Sequence, residues 1–199
     1  MTKANSRIAD HEIDPLFLNR WSPRAFTGET IPDDLLLTFF EAARWAPSTF
    51  NSQPWRFLYA KHGEPDFAKF LDLLMDANKV WAKDASVLMI VVSKKTFPYP
   101  GRPEPMPSLT HSFDTGSAWA SFAFQAVMSG WYTHGMAGFD YERARVELNV
   151  PDDCKVEAAI AVGRFGDPAS LPESLRSREA PNSRIPVTEF VIKGGFPPQ

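Results

Sequence analysis

Apolar positions recur along the chain in two rhythms: three- and four-residue spacing that marks helices, and short unbroken or alternating runs that mark strands. Leu35, Leu36, Phe39, Phe40 and Ala43 share one face of a helix opened by Pro32, with Asp33 and Asp34 in its first turn. A proline loses nothing there, and the acids meet the positive end of the helix dipole. Pro47 predicts the end of that helix near Trp45, because a proline pushes the residue before it out of helical geometry. Trp55–Ala60 has the length of a strand. Pro65 predicts a second helix, with Phe67, Phe70, Leu71 and Leu74 facing inward. Val87–Val92 is unbroken and rich in branched residues, as in a strand covered on both faces.

From about Thr115 to Tyr132 the chain is apolar nearly all round, behind a cap at Asp114. Ser121, Gln125 and Ser129 interrupt it, so it reads as a central core helix and not as a membrane span. Asp140 is placed to cap a further helix ending near Asn149. Val156–Val162 and Val187–Ile192 read as strands, and residues 94–110, with five prolines, as a loop or lid. The mixture predicts an α+β (mixed α/β) fold around one sheet.

Length and composition narrow this picture. A chain of 199 residues suits a single domain over 1–199. Apolar content of 44% and charged content of 23% are those of a folded protein. A net charge of −3 removes the electrostatic footprint of a nucleic-acid binder. Cys154 is the only cysteine, which rules out an intrachain disulfide and a thiolate cluster. His11, His62, His111 and His134 lack metal-ligand spacing, so no metal site is expected and packing or surface roles are. The first residues carry no apolar signal core, and the longest apolar run is far short of a bilayer. The expectation is a cytoplasmic protein with no membrane partner.

The densest chemical signal is Ala46-Pro-Ser-Thr-Phe-Asn-Ser-Gln-Pro-Trp55. Asn51 and Gln53 each carry a donor and an acceptor, which suits the alternating edge of a heteroaromatic ring. Read alone, the segment serves equally as an ordinary polar turn. A second signal is Arg20-Trp21-Ser22-Pro23-Arg24. Pro23 keeps Ser22 extended, so Arg20, Ser22 and Arg24 face one side together. Two guanidinium groups and a hydroxyl suit a phosphate or another anion, against the alternative of a solvated charged turn. Arg184 sits in a proline-framed segment, and Asn78 follows a helical pattern, where a C-cap is the plainer role. In Gly135-Met-Ala-Gly-Phe-Asp140, Ala137 and Gly138 leave the backbone bare enough for a flat ligand, or simply make a tight turn between helices.

Dinucleotide, P-loop and nucleophile-elbow motifs are absent. Ring-edge amides and anion-binding arginines without an acid–base pair point to chemistry carried by a cofactor.

In this order, Arg20–Arg24, Ala46–Trp55, Asn78, Met136–Asp140 and Ser183-Arg184-Ile185-Pro186 resemble the flavin-dependent nitroreductase family across nearly the whole chain. The resemblance implies a central, mostly antiparallel sheet flanked by helices, in an intertwined homodimer that exchanges C-terminal strands, here Val187–Ile192. It implies FMN held at the dimer interface. Arg20 and Arg184 would pair with its phosphate, Ser22 would lie near the phosphate and ribityl chain, and Arg24 near N1 and O2 of the ring. Pro47, Ser48, Thr49 and Asn51 would come from the second subunit, with Gln53 matching the pattern too. Asn78 would meet the pyrimidine edge, and the Ala137-Gly138 backbone would approach N5.

The implied activity is oxidoreduction with NADH or NADPH as donor and a nitroaromatic, quinone or other electron-poor small molecule as acceptor, in ping-pong half-reactions. No side chain is expected to be catalytic in the narrow sense, since protons can come from water. The alternatives are a reductase of an activated alkene or small aldehyde, a flavin-destroying or dehalogenating relative, and a non-catalytic flavin-binding dimer. Two positions depart from the family. Some members carry an acidic residue at the place of Ala137. Some carry a lysine at the place of Asn182, whose charge Arg164 or Arg178 would have to supply. Residues 94–113, with Phe97, Tyr99 or Phe113, would roof the pocket.

Overall fold

The computed structural model describes residues 5–196. Its centre is a four-stranded sheet in the order β1 (Trp55–Lys61), β2 (Val87–Lys94), β6 (Cys154–Gly163) and β5 (Tyr132–Met136), antiparallel throughout. Residues on one strand alternate between faces, and each face has its own apolar layer. Leu88, Ile90 and Val92 of β2, with Ala159 and Ala161 of β6, pack beneath α3 (Phe67–Asp72) and α4 (Asp76–Ala82). Val87, Met89 and Val91, with Ile160 and Val162, pack against α2 (Asp33–Arg44) and the long α5 (His111–Met128). The unbroken apolar run in β2 is therefore what a strand buried on both sides requires. The β2–β6 register slips by one residue between Val91 and Val92, opposite Glu157.

The mixed α and β content, the antiparallel sheet and the helix over residues 33–44 agree with the sequence reading. So do the strand around 87–92 and the Asp140 cap, whose side chain accepts from the Arg143 N–H at 2.9 Å. That cap opens α6 (Tyr141–Glu147). Residues 94–110 contain a small hairpin, β3 (Thr96–Phe97) with β4 (Met106–Pro107).

Four expectations need correction. The long helix starts at His111 and stops at Met128, with Gly130 at φ 76° just beyond it. Glycine alone takes that angle freely, so the chain turns there, and Tyr132 begins β5 instead of ending the helix. Gly135 consequently lies within a strand, and the following turn joins a strand to α6. Asp114 is a buried first-turn residue and not the cap. The helix after Pro65 is present as α3, but a separate helix, α4, follows it, and Asn78 sits inside α4 instead of capping a C-terminus. Finally, Val187–Ile192 is not a strand in the single chain: Val187–Phe190 form a short exposed helix. A strand needs neighbours for its N–H and C=O groups, and this segment has no strand beside it among the described residues.

Candidate functional site

The site begins where α1 (Pro15–Asn19) gives way to an extended segment. Trp21 turns inward and meets Phe165 and Tyr132 edge-on, with centroids 5.3 and 6.3 Å apart. With its neighbours Arg20 and Ser22 it also lines a cavity of about 540 Å³ that receives Arg24 as well. Arg20 Nη1 lies 3.5 Å from Ser22 Oγ. Arg184 reaches the same cavity from the far end of the chain, and Arg178 and Arg7 line it too. No aspartate or glutamate lines it among the described residues. Burial holds Arg20, Arg24 and Arg7 below the ordinary arginine range, and neighbouring positive charge adds to it: Arg184 for Arg20 and Arg7, Arg178 for Arg24. A protein with net negative charge has thus gathered cations in one basin, an arrangement that an anion relieves.

The sequence reading missed Glu179 and His134. Glu179 lies under the basin, its side chain fully buried, and its Oε1 accepts from the N–H groups of Arg24 and Ala25 at 2.7 and 2.9 Å. Its Oε2 is 3.8 Å from Arg24 Nη1. His134, on β5, lines the basin and holds Pro23 O at 2.9 Å through Nδ1, with its ring against Trp81. Burial is the main cause that brings its pKa down to about 4, so the ring is neutral and Nδ1–H donates. Neither residue has a flanking motif that marks it. Of the two arginines considered as substitutes for a lysine at Asn182, Arg178 is in the basin; Arg164 pairs with Glu29 at 3.1 Å and lies over Trp131.

Asn78 and Gly138, 60 residues apart, do come together: Asn78 Nδ2 donates to Gly138 O at 3.0 Å, and the Met75 N–H donates to the same oxygen at 3.0 Å. A Cβ at Gly138 would stand 2.7 Å from Asn78 Nδ2, so only glycine leaves that amide in place. Ala137 beside it is exposed. Ala137 and Gly138 follow His134 within four residues, so at most about 13 Å of chain separates them from it. The end of β5 therefore connects the basin, which His134 lines, to the bare backbone.

Residues 46–55 do not line the basin. Phe50, Asn51 and Gln53 all adopt left-handed backbone angles, with φ of 51°, 51° and 46°. Such angles strain non-glycine residues and persist where surrounding contacts dictate them. Asp114 Oδ2 dictates them in part, accepting from the Thr49 N–H at 3.1 Å and the Thr110 hydroxyl at 3.0 Å. Ser48 Oγ accepts from the Gln53 N–H, and Gln53 Nε2 donates to Asn51 O, so Gln53 serves the turn itself. Pro47 and Asn51 are exposed and Ser48 and Thr49 half-buried. Exposed Phe50 stacks on Phe97 at 5.6 Å and meets Tyr99 edge-on at 5.3 Å, while Phe113 stands exposed apart from them. The structure thus brings Arg20, Ser22, Arg24 and Arg184 together in the basin and Asn78 together with Gly138, while Pro47, Ser48, Thr49 and Asn51 lie outside the basin lining.

Comparison with known proteins decides what family this arrangement belongs to. The pattern of the Nitroreductase family matches residues 18–164. The chain belongs to the nitroreductase family. A crystal structure of an oxidoreductase containing FMN is 46% identical, each chain covering all of the other, with a TM-score of 0.93. A Desulfovibrio desulfuricans protein, named a nitroreductase and solved with FMN, shares the fold at 23% identity. Its TM-score is 0.69, over 94% of this chain and 100% of that one. A Rhodopseudomonas palustris relative named NADH dehydrogenase/NAD(P)H nitroreductase is 28% identical over 93 residues, 47% of each chain. A Mycolicibacterium smegmatis relative is 35% identical over 82 residues, 41% of this chain and 55% of its own. This nitroreductase-family chain spans about half the length of those two relatives. None of its described helices is long and apolar enough to cross a membrane.

Proposed function

We propose that the protein is an FMN-dependent oxidoreductase that takes electrons from NADH or NADPH and delivers them to an electron-poor small molecule such as a nitroaromatic or quinone. The observation that carries this reading is the basin of Arg20, Arg24 and Arg184 with Ser22, lined by no carboxylate among the described residues, with β5 leading from it to the bare Ala137-Gly138 backbone. A flat ring with a phosphate tail has the shape and charge distribution that these donors fit. The FMN-containing relative at 46% identity supports the same cofactor.

When bound, FMN supplies two-electron hydride chemistry that the twenty side chains lack. The chain supplies position and field. Arg20 and Arg184 would hold the phosphate, with Ser22 donating beside it. Arg24 would stand at the pyrimidine edge, where negative charge gathers on reduction. Asn78 is fixed by Gly138 O on its amino side and would turn Oδ1 to the ring. The Ala137-Gly138 backbone would lie against the ring's reactive edge without a side chain between them. Pro47, Ser48, Thr49 and Asn51 do not meet the basin within one chain, so we assign them to the site of a second copy in a homodimer. The Phe50, Phe97 and Tyr99 cluster would then wall the acceptor pocket. No side chain is assigned as a general acid.

The test is an absorbance spectrum of the purified protein before and after anaerobic addition of NADH or NADPH. A yellow protein that bleaches supports the reading. A protein that takes up FMN but is not bleached by either donor overturns the hydride mechanism, and one that takes up no FMN overturns the cofactor.

A further inference from the structure

The basin contains a cation that no family motif accounts for. Arg7 lies on an N-terminal arm whose neighbour Ile8 is almost wholly exposed, so apolar burial does not hold the arm there. Polar contacts do: Asn5 Nδ2 donates to Leu18 O at 2.6 Å, and Asp10 Oδ2 accepts from the Val187 N–H at 2.9 Å. Arg7 is the centre of this clasp. Its Nη1 donates to Leu18 O and Arg20 O at 3.0 and 2.6 Å, its Nε to Asn182 O at 2.8 Å, and its Nη2 to Asn182 Oδ1 at 3.2 Å. A guanidinium has five N–H groups, so one is left without a partner among the described residues. Asn182 Oδ1 also accepts from Arg184 Nη1 at 2.9 Å, which places a neutral oxygen between two cations.

A residue serving only to tie two backbone segments has no need to face a cavity. Arg7 lines it, in company with Arg20 and Arg184, and none of the three has a carboxylate within 4 Å among the described residues. We propose that Arg7 is an anion ligand of the basin: it supplies the third positive charge of the phosphate subsite from the N-terminal arm, at the position where Asn182 brings none. The proposal rests on the FMN reading. It adds a residue more than ten positions before the first family landmark, and a reason for the arm to lie where it does. A phosphate monoester carries a charge near −2, which Arg20 and Arg184 match, and Arg7 makes the subsite selective for a ligand with that tail over one without it.

The experiment is fluorescence titration of the cofactor-stripped full-length protein with FMN and, separately, with riboflavin, which lacks the phosphate. Variants are Arg7→Gln, Arg7→Lys and the surface control Lys69→Gln, whose side chain meets only Asp66 at 3.7 Å. Arg7→Gln should weaken FMN binding about ten-fold or more, as loss of a charged hydrogen bond does, and leave riboflavin binding unchanged. Arg7→Lys should keep most of the preference for FMN over riboflavin, and Lys69→Gln all of it. Equal loss of both flavins in Arg7→Gln, or loss of the preference in Arg7→Lys as complete as in Arg7→Gln, makes Arg7 a clasp alone and overturns the proposal. If Arg7→Gln does not fold, the Arg7→Lys preference decides by the same criterion. A wild-type protein that binds neither flavin overturns the cofactor reading instead, so the two failures are told apart.

Discussion

Glu179 holds Arg24 from below by its backbone and from the side by its charge: one carboxylate oxygen accepts from the Arg24 and Ala25 N–H groups, and the other faces the Arg24 guanidinium at 3.8 Å. Removing the carboxylate strands one buried donor and one partly buried donor, the buried one worth about 1–3 kcal/mol. Glu179→Ala is expected to lower unfolding free energy by about 2–4 kcal/mol in urea denaturation. Glu179→Gln keeps an acceptor for both N–H groups and should lose less than half as much. Equal losses in the two variants would show that the hydrogen bonds are not what holds the segment.

Arg24 is the charge proposed to stand at the ring edge that becomes negative on reduction. Arg24→Ala should lower the midpoint potential of bound FMN, by about 30 mV for each 1.4 kcal/mol of lost contact to the reduced form. Spectroelectrochemical titration reads this directly, and an unchanged potential sinks the role.

His134 makes stability depend on pH. Its pKa is about 4 in the folded chain against 6.5 when free. Below pH 6.5 the unfolded chain takes up a proton that the folded chain refuses, so stability falls as pH drops from 6.5 to 4 and levels off beneath. The full term is about 3 kcal/mol. His134→Gln can still donate to Pro23 O but does not titrate, so its stability profile over that window should be flatter than the wild type's. Parallel profiles from urea melts at several pH values would refute the assignment.

The left-handed backbone at Asn51 changes which substitution tests its side chain. Alanine at φ 51° adds strain of about 1–2 kcal/mol, whereas glycine does not. Asn51→Gly should weaken FMN retention while leaving the thermal midpoint within a few degrees of wild type. Full retention of FMN through gel filtration would remove Asn51 from the site.

The sequence made the sheet's central strands, the first long helix and the Asp140 cap legible because each rests on local rules: unbroken apolar runs, proline at a helix start, an aspartate before a helix. Arg20, Ser22 and Arg24 were legible for the same reason, since Pro23 and strand alternation dictate their common face. What failed depends on distant parts of the chain. Tyr132–Met136 became a strand because β6 offers it an edge, and Asp114 was drawn from capping by the Thr49 N–H, 65 residues earlier. Glu179 and Arg7 act across 155 and 175 residues, and no local spacing records that. The segment 187–192 has the composition of a strand without a strand partner among the described residues.

The separation between residues 46–55 and the arginine basin bears on inheritance as well as on chemistry. If each pocket draws one half from either copy, a chain damaged at Arg20 and a chain damaged at Asn51 are not equivalent losses. Folded together, a mixed pair would place both lesions in one pocket and leave the other whole. Two alleles that are each silent could thus restore function in one cell, whereas two lesions within the basin could not.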